Sequence, residues 1–230
     1  MISIIIPTYN EAGNIESIIS QILLLFDSEQ INGEIIIVDD DSPDGTSNLA
    51  KAYSEEHPVR VHMRKNKRGL SDAVIDGFNI AHGDICVVMD ADLSHPIEKI
   101  PSMVSPIIKD ECDVTVGSRK IPGGGTVGWP GYRHIISRFA GFLAKGLTEL
   151  SDPTSGFMGV RKSIIKNTKL DPLGWKIVLE VVVKTKPRIK EIPIIFYDRK
   201  FGKSKFGATA FTEYLYHLWK LYLFKYLRFG

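Results

Sequence analysis

Five short runs rich in β-branched residues mark the first half of the chain, and their spacing leaves few folds open. They are "ISIIIP" (2–7), "EIIIV" (34–38), "VRVHM" (59–63), "DICVVM" (84–89) and "DVTVGSR" (113–119). Helical patterns separate them. "NIESIISQILLLF" sets Ile15, Ile18, Ile19, Ile22 and Phe26 at helical spacing. "DGTSNLAKAYSEE" opens a helix behind an Asp or Thr cap, and "GLSDAVIDGFNIA" (69–81) is helical. Pro101 and Pro106 are expected to interrupt the next helical region. Nearly continuous apolar strands separated by helices predict a mostly parallel α/β sheet covered on both faces. Right-handed crossovers put the outgoing loops along one edge, where ligands of open α/β sheets bind. The polar clusters "PTYNEAGN", "DDDSPDGT", "DADLSHP" and "GSRK" each follow a strand, so four loops are expected to converge there.

The 230 residues suffice for one sizeable α/β domain with an appendage. A net charge of +2 gives no case for nucleic-acid binding, so any basic surface is local. Cys86 and Cys112 sit in apolar runs and read as buried thiols rather than a disulfide framework. "MISIIIPTYN" lacks the basic start and long apolar core of a leader, and no stretch reaches about 18 uninterrupted apolar residues. Beyond residue 120 the pattern loosens. "IPGGGTVGWPGY" reads as a mobile loop, followed by a helix around 133–150, a short strand in "GFMGVRK" and a helix in "WKIVLEVVVKTK". "IKEIPIIFYD" reads as a strand that Pro193 assigns to an edge or bulge.

"VVMDADLSHP" (87–96) ends the fourth run on two aspartates one residue apart. At strand alternation, Asp90 and Asp92 would point the same way. Two carboxylates roughly 6 Å apart repel by about 3 kcal/mol at an effective dielectric of about 20. A cation between them removes that cost. Hard cations such as Mg²⁺ commonly use one or two carboxylates plus substrate phosphates. The plain alternative, a helix N-cap before "SHPIEKI", accounts for one aspartate and not both. In the first two loops Tyr9 offers a stacking ring, and Glu11 and Asp39 offer acceptors for ribose or base. A surface tyrosine and a capped turn at Asp44-Gly45 are the ordinary readings. No GxGxxG follows the first strand and no GxxxxGK[ST] occurs, which argues against dinucleotide and P-loop enzymes. Diphosphate charge then falls to the metal and to cations such as Arg119, Arg133, Arg199, Lys203 and Lys205, each of which is ordinarily solvated surface. "DRKFGKSKFG" differs, because glycine-flanked cations suit a flap closing over phosphate.

Taken in order, "SIIIPTYNEAGNI", "IVDDDSPDGT", "MDADLSHP", "GSRKIPGGG", "DPTSGFMGVRK" and "FGKSKFG" resemble the family 2 glycosyltransferases of the GT-A fold. Within that family they are most similar to dolichol-phosphate mannose synthases and related polyprenyl-phosphate glycosyltransferases, from residue 2 to about 207. The resemblance implies a GT-A catalytic domain over 1–207 and inverting transfer of mannose from GDP-mannose to dolichyl or another polyprenyl phosphate. It implies a divalent cation, Mg²⁺ or Mn²⁺, and a peripheral position on the cytoplasmic face of a membrane. It places Pro7, Tyr9, Glu11, Asp39, Asp90, Ala91 and Asp92 in the nucleotide-sugar pocket. Asp90 and Asp92 match the DXD motif, with Asp92 the direct metal ligand, and Ser94 stands where some relatives carry a glutamine ligand. Arg119, Arg133 and Ser137 match the acceptor-phosphate site, and Arg199 and Lys205 match a flap on the donor phosphates. Catalysis would rest on Asp90, Asp92, Arg119 and Lys205. Asp152 lies in the matched "DPTSGF" without a proton-transfer role. "RGLSDA" departs from the GLG of many relatives, and Ser71 is expected to cap the following helix. The QxxRW motif of processive synthases is absent.

The tail (208–230) is expected to form a separate amphipathic helix. On a wheel Phe211, Leu215, Leu218, Trp219, Tyr222 and Tyr226 fall within about 100°, with Glu213, His217, Lys220, Lys225 and Arg228 on a polar arc of roughly 140°. Aromatics opposite basic residues suit a membrane interface, and packing on the domain is the alternative. Many relatives continue into spanning segments, which leaves room for an anchoring segment or subunit outside these residues. The rival functions are a UDP-glucose:polyprenyl-phosphate glucosyltransferase, a nucleotidyltransferase, and a non-catalytic scaffold that binds lipid phosphate.

Overall fold

Isoleucines on both faces of two adjacent strands define the centre of the molecule. The computed structural model describes residues 1–65, 69–174, 176–198 and 208–229, with side chains of the last helix from 210 to 227. β1 (Ile2–Thr8), α1 (Ile15–Ser28), β2 (Gly33–Asp39), α2 (Thr46–Lys51), β3 (Val59–Met63), α3 (Leu70–Ile80) and β4 (Ile85–Val88) alternate as expected. A 3-10 turn (Ile97–Lys99), α4 (Ile100–Ile108), β5 (Val114–Ser118), β6 (Gly125–Val127) and α5 (Gly131–Ala144) follow. β7 (Met158–Arg161), α6 (Lys162–Ile165), α7 (Ile177–Thr185), β8 (Ile189–Pro193), β9 (Ile195–Tyr197) and α8 (Ala208–Phe229) complete the chain.

The main sheet has the order β3-β2-β1-β4-β7-β5-β8, and β6 pairs β9 in a small ribbon. All pairings in the main sheet are parallel except those of β7, which runs against both β4 and β5. Strand alternation sends Ile4, Ile6, Ile35 and Ile37 to the α1/α4 side, and Ile5, Ile36 and Val38 to the α3/α7 side. Because both faces are covered, the strands read as nearly continuous apolar runs. Cys86 and Cys112 are free and buried.

Several local expectations are corrected. Pro101 lies in the first turn of α4, where no backbone donor is needed, and Pro106 is accommodated inside that helix, so neither ends it. α2 is short, ending at Lys51. The N-cap of α2 is Gly45 rather than the expected Asp or Thr, while Asp44 Oδ1, one residue earlier, accepts from Thr46 N–H (3.1 Å) and the Thr46 hydroxyl (2.6 Å). Ser71 does not cap α3, because it lies inside the first turn with its buried hydroxyl unpaired among the described residues. The glycine-rich segment expected to be a loop contains β6, held by β9. β8 is an edge strand ending at Pro193, as its proline suggests.

α8 is packed on the domain and also carries an exposed apolar face. Tyr214, Leu218 and Leu221 are buried against Ala140, Ala144, Leu179 and Val183 of α5 and α7. Tyr214 Oη donates to Ala140 O (2.6 Å) and Tyr222 Oη to Leu143 O (2.9 Å), so α8 binds late carbonyls of α5. His217 was expected on the polar arc but is fully buried, 2.8 Å from Glu180 Oε2 of α7. Leu218 likewise turns inward. The exposed apolar face is instead Leu215, Tyr216, Trp219, Leu223, Tyr226 and Leu227.

α3 crosses β1 closely at Gly77, where an added Cβ would lie 2.5 Å from Ile5 Cγ2. Gly77→Ala is expected to cost about 1–3 kcal/mol by overpacking, read as a lower urea midpoint. An unchanged midpoint would show that this contact yields freely.

Candidate active site

The carboxyl ends of β1, β2 and β4 share one edge, and their loops are stitched together there. Asn10 N–H donates to Ser42 Oγ (3.0 Å), Glu11 N–H to Thr46 Oγ1 (2.9 Å) and Ala12 N–H to Asp44 Oδ2 (3.0 Å). Pro7 and Tyr9 are half-buried at this rim. Glu11 Oε2 accepts from Asn14 Nδ2 (2.8 Å). Asp39, fully buried, accepts from Thr8 Oγ1, Ser42 N–H and the Ser42 and Ser47 hydroxyls. Its first task is therefore to shape the second loop. The crowding of Asp39, Asp40 and Asp41 is relieved by a cation distant in sequence. Arg64, at the end of β3, pairs with Asp40 at 2.7 Å and with Asp76 at 2.9 Å.

Asp90 and Asp92 lie beyond β4, in a turn rather than on the strand. Leu93 takes φ 61° to make the bend. Asp92 Oδ1 accepts from Ser94 N–H (3.1 Å) and from the Ser94 hydroxyl. The helix-cap alternative does not hold, because the following 3-10 turn has Pro96 as its N-cap and no side-chain cap bond, and Ser94 would have to release Asp92 to reach a metal. Ala91 is buried between the two acids. Asp90 is more open, its side chain 32% exposed.

His95, which sequence reasoning passed over, fixes this turn. Its Nδ1 accepts from Asp90 N–H (3.1 Å) and its Nε2 faces Asp90 Oδ2 at 3.9 Å. The ring stacks on Phe157 (5.1 Å between centroids) and meets Phe196 edge-on (5.4 Å). Burial pushes its pKa down, against the raising pull of Asp90 and Asp92, which favours the neutral ring this geometry needs. Its signal was the imidazole three residues after an acidic pair. Tyr197 N–H donates to Ser94 O (3.1 Å), tying the turn to β9. Beside it opens a groove of about 430 Å³, bounded by Asp92, Leu93, Pro96, Val127, Tyr197 and Asp198.

The basic half of the site starts at the end of β5. Arg119 Nε and Nη2 bond Asp152 Oδ2 (2.6 Å) and Oδ1 (2.8 Å), and Nη2 also reaches Thr154 Oγ1 (2.9 Å). Asp152 is fully buried. Burial alone would raise its pKa, but hydrogen bonds and charge from Arg119, then Lys120, hold it well below the carboxylate range. It is a structural counter-ion and not a proton carrier. Lys120 Nζ donates to Ser137 O (2.9 Å), and Arg133 Nη1 pairs with Asp198 Oδ1 (2.6 Å). Arg119, Arg133 and Ser137 are therefore neighbours through Lys120 and Trp129, whose ring lies under both guanidinium groups. Lys176, also missed, is buried with Nζ donating to Thr154 O (3.1 Å) and lying over the Tyr214 ring. Burial pushes its pKa well down, with Arg119 adding to the shift. Arg199, Lys203 and Lys205 lie outside the described residues.

The donor set can be tested for a metal. Among the described residues, no group of three or more His, Cys, Asp or Glu side chains forms a closed cage. Two carboxylates on one turn nevertheless fit an octahedral hard cation that completes its shell with water and substrate phosphate.

An acidic turn and an arginine pair stand at the carboxyl edge of a doubly covered, mostly parallel α/β sheet. The chain belongs to glycosyl transferase family 2, whose model matches residues 3–168. It is 42% identical over 225 residues to the dolichol-phosphate mannosyltransferase of Pyrococcus furiosus, covering 96% of this chain and 63% of that protein. It is 37% identical to the Saccharomyces cerevisiae enzyme of the same name, covering 97% of this chain and 88% of that one. The chain thus spans under two thirds of the archaeal relative. Among solved structures, glucosyl-3-phosphoglycerate synthase from Mycobacterium tuberculosis superposes with a TM-score of 0.75 at 19% identity, over 96% of this chain and 79% of that chain.

Asp152 yields a pH-dependent prediction. With its folded pKa depressed, its stabilisation is full above the unfolded value of about 3.9 and is lost as pH falls through the folded value. Asp152→Asn should cost about 3 kcal/mol at pH 7, with a melting-temperature gap that holds to about pH 5 and narrows below about pH 4. A gap constant to pH 2.5 would contradict the ionised pair.

Proposed function

We propose that the chain transfers mannose from GDP-mannose to dolichyl or another polyprenyl phosphate, with inversion at the sugar carbon, at the cytoplasmic face of a membrane. One observation carries this reading: α5 presents two opposed faces. Arg133 and Ser137 turn toward the site, while Tyr132, Ile135, Phe139 and Phe142 are exposed on an arc of about 80° on the other side. A phosphate on a long apolar chain is the ligand such a helix suits. The exposed face of α8 adds Tyr216, Trp219 and Tyr226 to the same apolar surface through the Phe139–Phe211 contact (6.5 Å between centroids). Exposed aromatics on amphipathic helices suit the bilayer interface. Among the described residues no helix is long and apolar enough to cross a membrane.

In this reading Pro7, Tyr9, Glu11 and Asp39 shape the nucleoside pocket, and Ala91 backs the acidic turn. Asp90 and Asp92 would hold a divalent cation, Mg²⁺ or Mn²⁺, with Asp92 the direct ligand and Ser94 supporting it. The cation supplies charge neutralisation for the departing diphosphate. The solved structure of glucosyl-3-phosphoglycerate synthase holds Mn²⁺ with UDP-glucose, in keeping with such a site. Arg199 and Lys205 are proposed to aid it from a flap over the donor phosphates. No general base is required, since a phosphate monoester has a second pKa of about 6 and is already anionic near neutral pH. Arg119 and Arg133 would align its oxygen behind the sugar carbon, so catalysis rests on positioning and electrostatics.

Two tests follow. Asp92→Ala should lower labelled-mannose transfer to polyprenyl phosphate by at least about 100-fold, with GDP-mannose outperforming UDP-glucose for the unaltered chain; near-full activity of the variant would refute the metal role. The double variant Phe139→Ser/Trp219→Ser should lower co-sedimentation with anionic lipid vesicles severalfold without changing melting temperature. Unchanged sedimentation would remove the interface from the scheme.

A further inference from the structure

Trp129 lies between β6 and α5, at the meeting point of the two arginines. Arg119 Cζ lies 5.0 Å and Arg133 Cζ 4.3 Å from its ring centroid. Phe196 meets the same ring edge-on at 5.5 Å, and His134 lies 5.6 Å away. Each guanidinium has its own carboxylate, Asp152 for Arg119 and Asp198 for Arg133. These carboxylates belong to different elements and do not by themselves bring the two guanidinium groups to one place. The negative face of an indole attracts both, by roughly 0.5–2 kcal/mol per contact.

A second feature concerns hydrogen bonding. Trp129 Nε1 is buried and makes no hydrogen bond to any described residue. An unsatisfied buried donor is costly, and such donors in native proteins call for an explanation. Arg119 meets Asp152 and Thr154 through Nε and Nη2, and among the described residues Nη1 makes no hydrogen bond. The indole N–H and a guanidinium edge thus stand beside one aromatic ring with capacity for an acceptor. An oxyanion with several lone pairs satisfies both.

We propose that Trp129 is a positioning residue of the acceptor subsite. Its ring holds both the Arg119 and the Arg133 guanidinium groups against one indole, and its Nε1–H serves the phosphate monoester as a further donor. This rests on the acceptor reading given above and deepens it. A tryptophan is suited to both tasks, since it has the strongest cation-binding face and a donor at its edge. Phenylalanine retains a face and loses the donor. Leucine loses both.

The test is calorimetric titration of the full chain with farnesyl phosphate, a soluble prenyl phosphate monoester, and separately with GDP. Trp129→Leu should weaken farnesyl phosphate at least tenfold and Trp129→Phe about threefold, while GDP affinity stays within twofold for both. Arg133→Gln serves as the control for the subsite itself. If Arg133→Gln loses farnesyl phosphate while Trp129→Leu binds it normally, the inference falls and the acceptor reading stands. If the unaltered chain fails to bind farnesyl phosphate, or Arg133→Gln binds it as well as the unaltered chain does, the acceptor reading falls and takes the inference with it. Equal weakening of both ligands by Trp129→Leu would mark a merely structural role and overturn the proposal.

Discussion

The reversal of β7 between β4 and β5 is the constraint on which the site depends. Because β7 runs against its neighbours, the turn before it enters at the edge where they leave. That turn delivers Asp152 and Thr154 to Arg119, and Phe157 to the face of His95. Gly156 passes close to Asp90, near enough that an added Cβ would touch its carboxylate at 3.6 Å. A parallel β7 would leave its preceding turn at the far edge, and the acidic and basic halves would lose the segment that joins them.

Electrostatics then divide the labour. The acidic turn concentrates negative charge that a cation can use, and neutral His95 braces it without adding charge of its own. On the other side, Arg119 is held by a fully buried carboxylate, and such a pair is retained at a desolvation cost that packed apolar residues would avoid. Its benefit is geometric. A guanidinium held through Nε and Nη2 keeps its remaining Nη1 in a fixed place, which suits binding of an anion. Lys176 lies beneath this assembly, its amine on Thr154 O and over the Tyr214 ring of α8. The outer helices are thereby linked to the turn that orients Arg119.

The sheet was legible because isoleucine and valine at consecutive positions admit few interpretations other than a strand buried on both sides. Loop convergence followed from that alone. The direction of β7 was not legible, since four residues carry no orientation signal. β6 was hidden by flanking glycines and a proline, and it exists only because β9, some 70 residues later, supplies its partner. His217 read as solvent-facing on a wheel because Glu180, its buried partner, belongs to another helix. Asp90 and Asp92 were found by their chemistry, although the strand alternation invoked for them gives way to a turn at Leu93. Trp129 and His95 went unremarked for a shared reason. Each is fixed in place by rings distant in sequence, Phe157 and Phe196 for His95 and Phe196 for Trp129, which local spacing does not reveal.

The most direct measurement is the affinity of GDP for the chain, by calorimetry, with Mg²⁺ present and with chelator in its place. A metal-bridged donor site predicts at least tenfold tighter binding with Mg²⁺, and loss of that difference in Asp92→Asn with chelator-condition binding unchanged. GDP affinity indifferent to Mg²⁺ in the unaltered chain would contradict the assignment of the acidic turn.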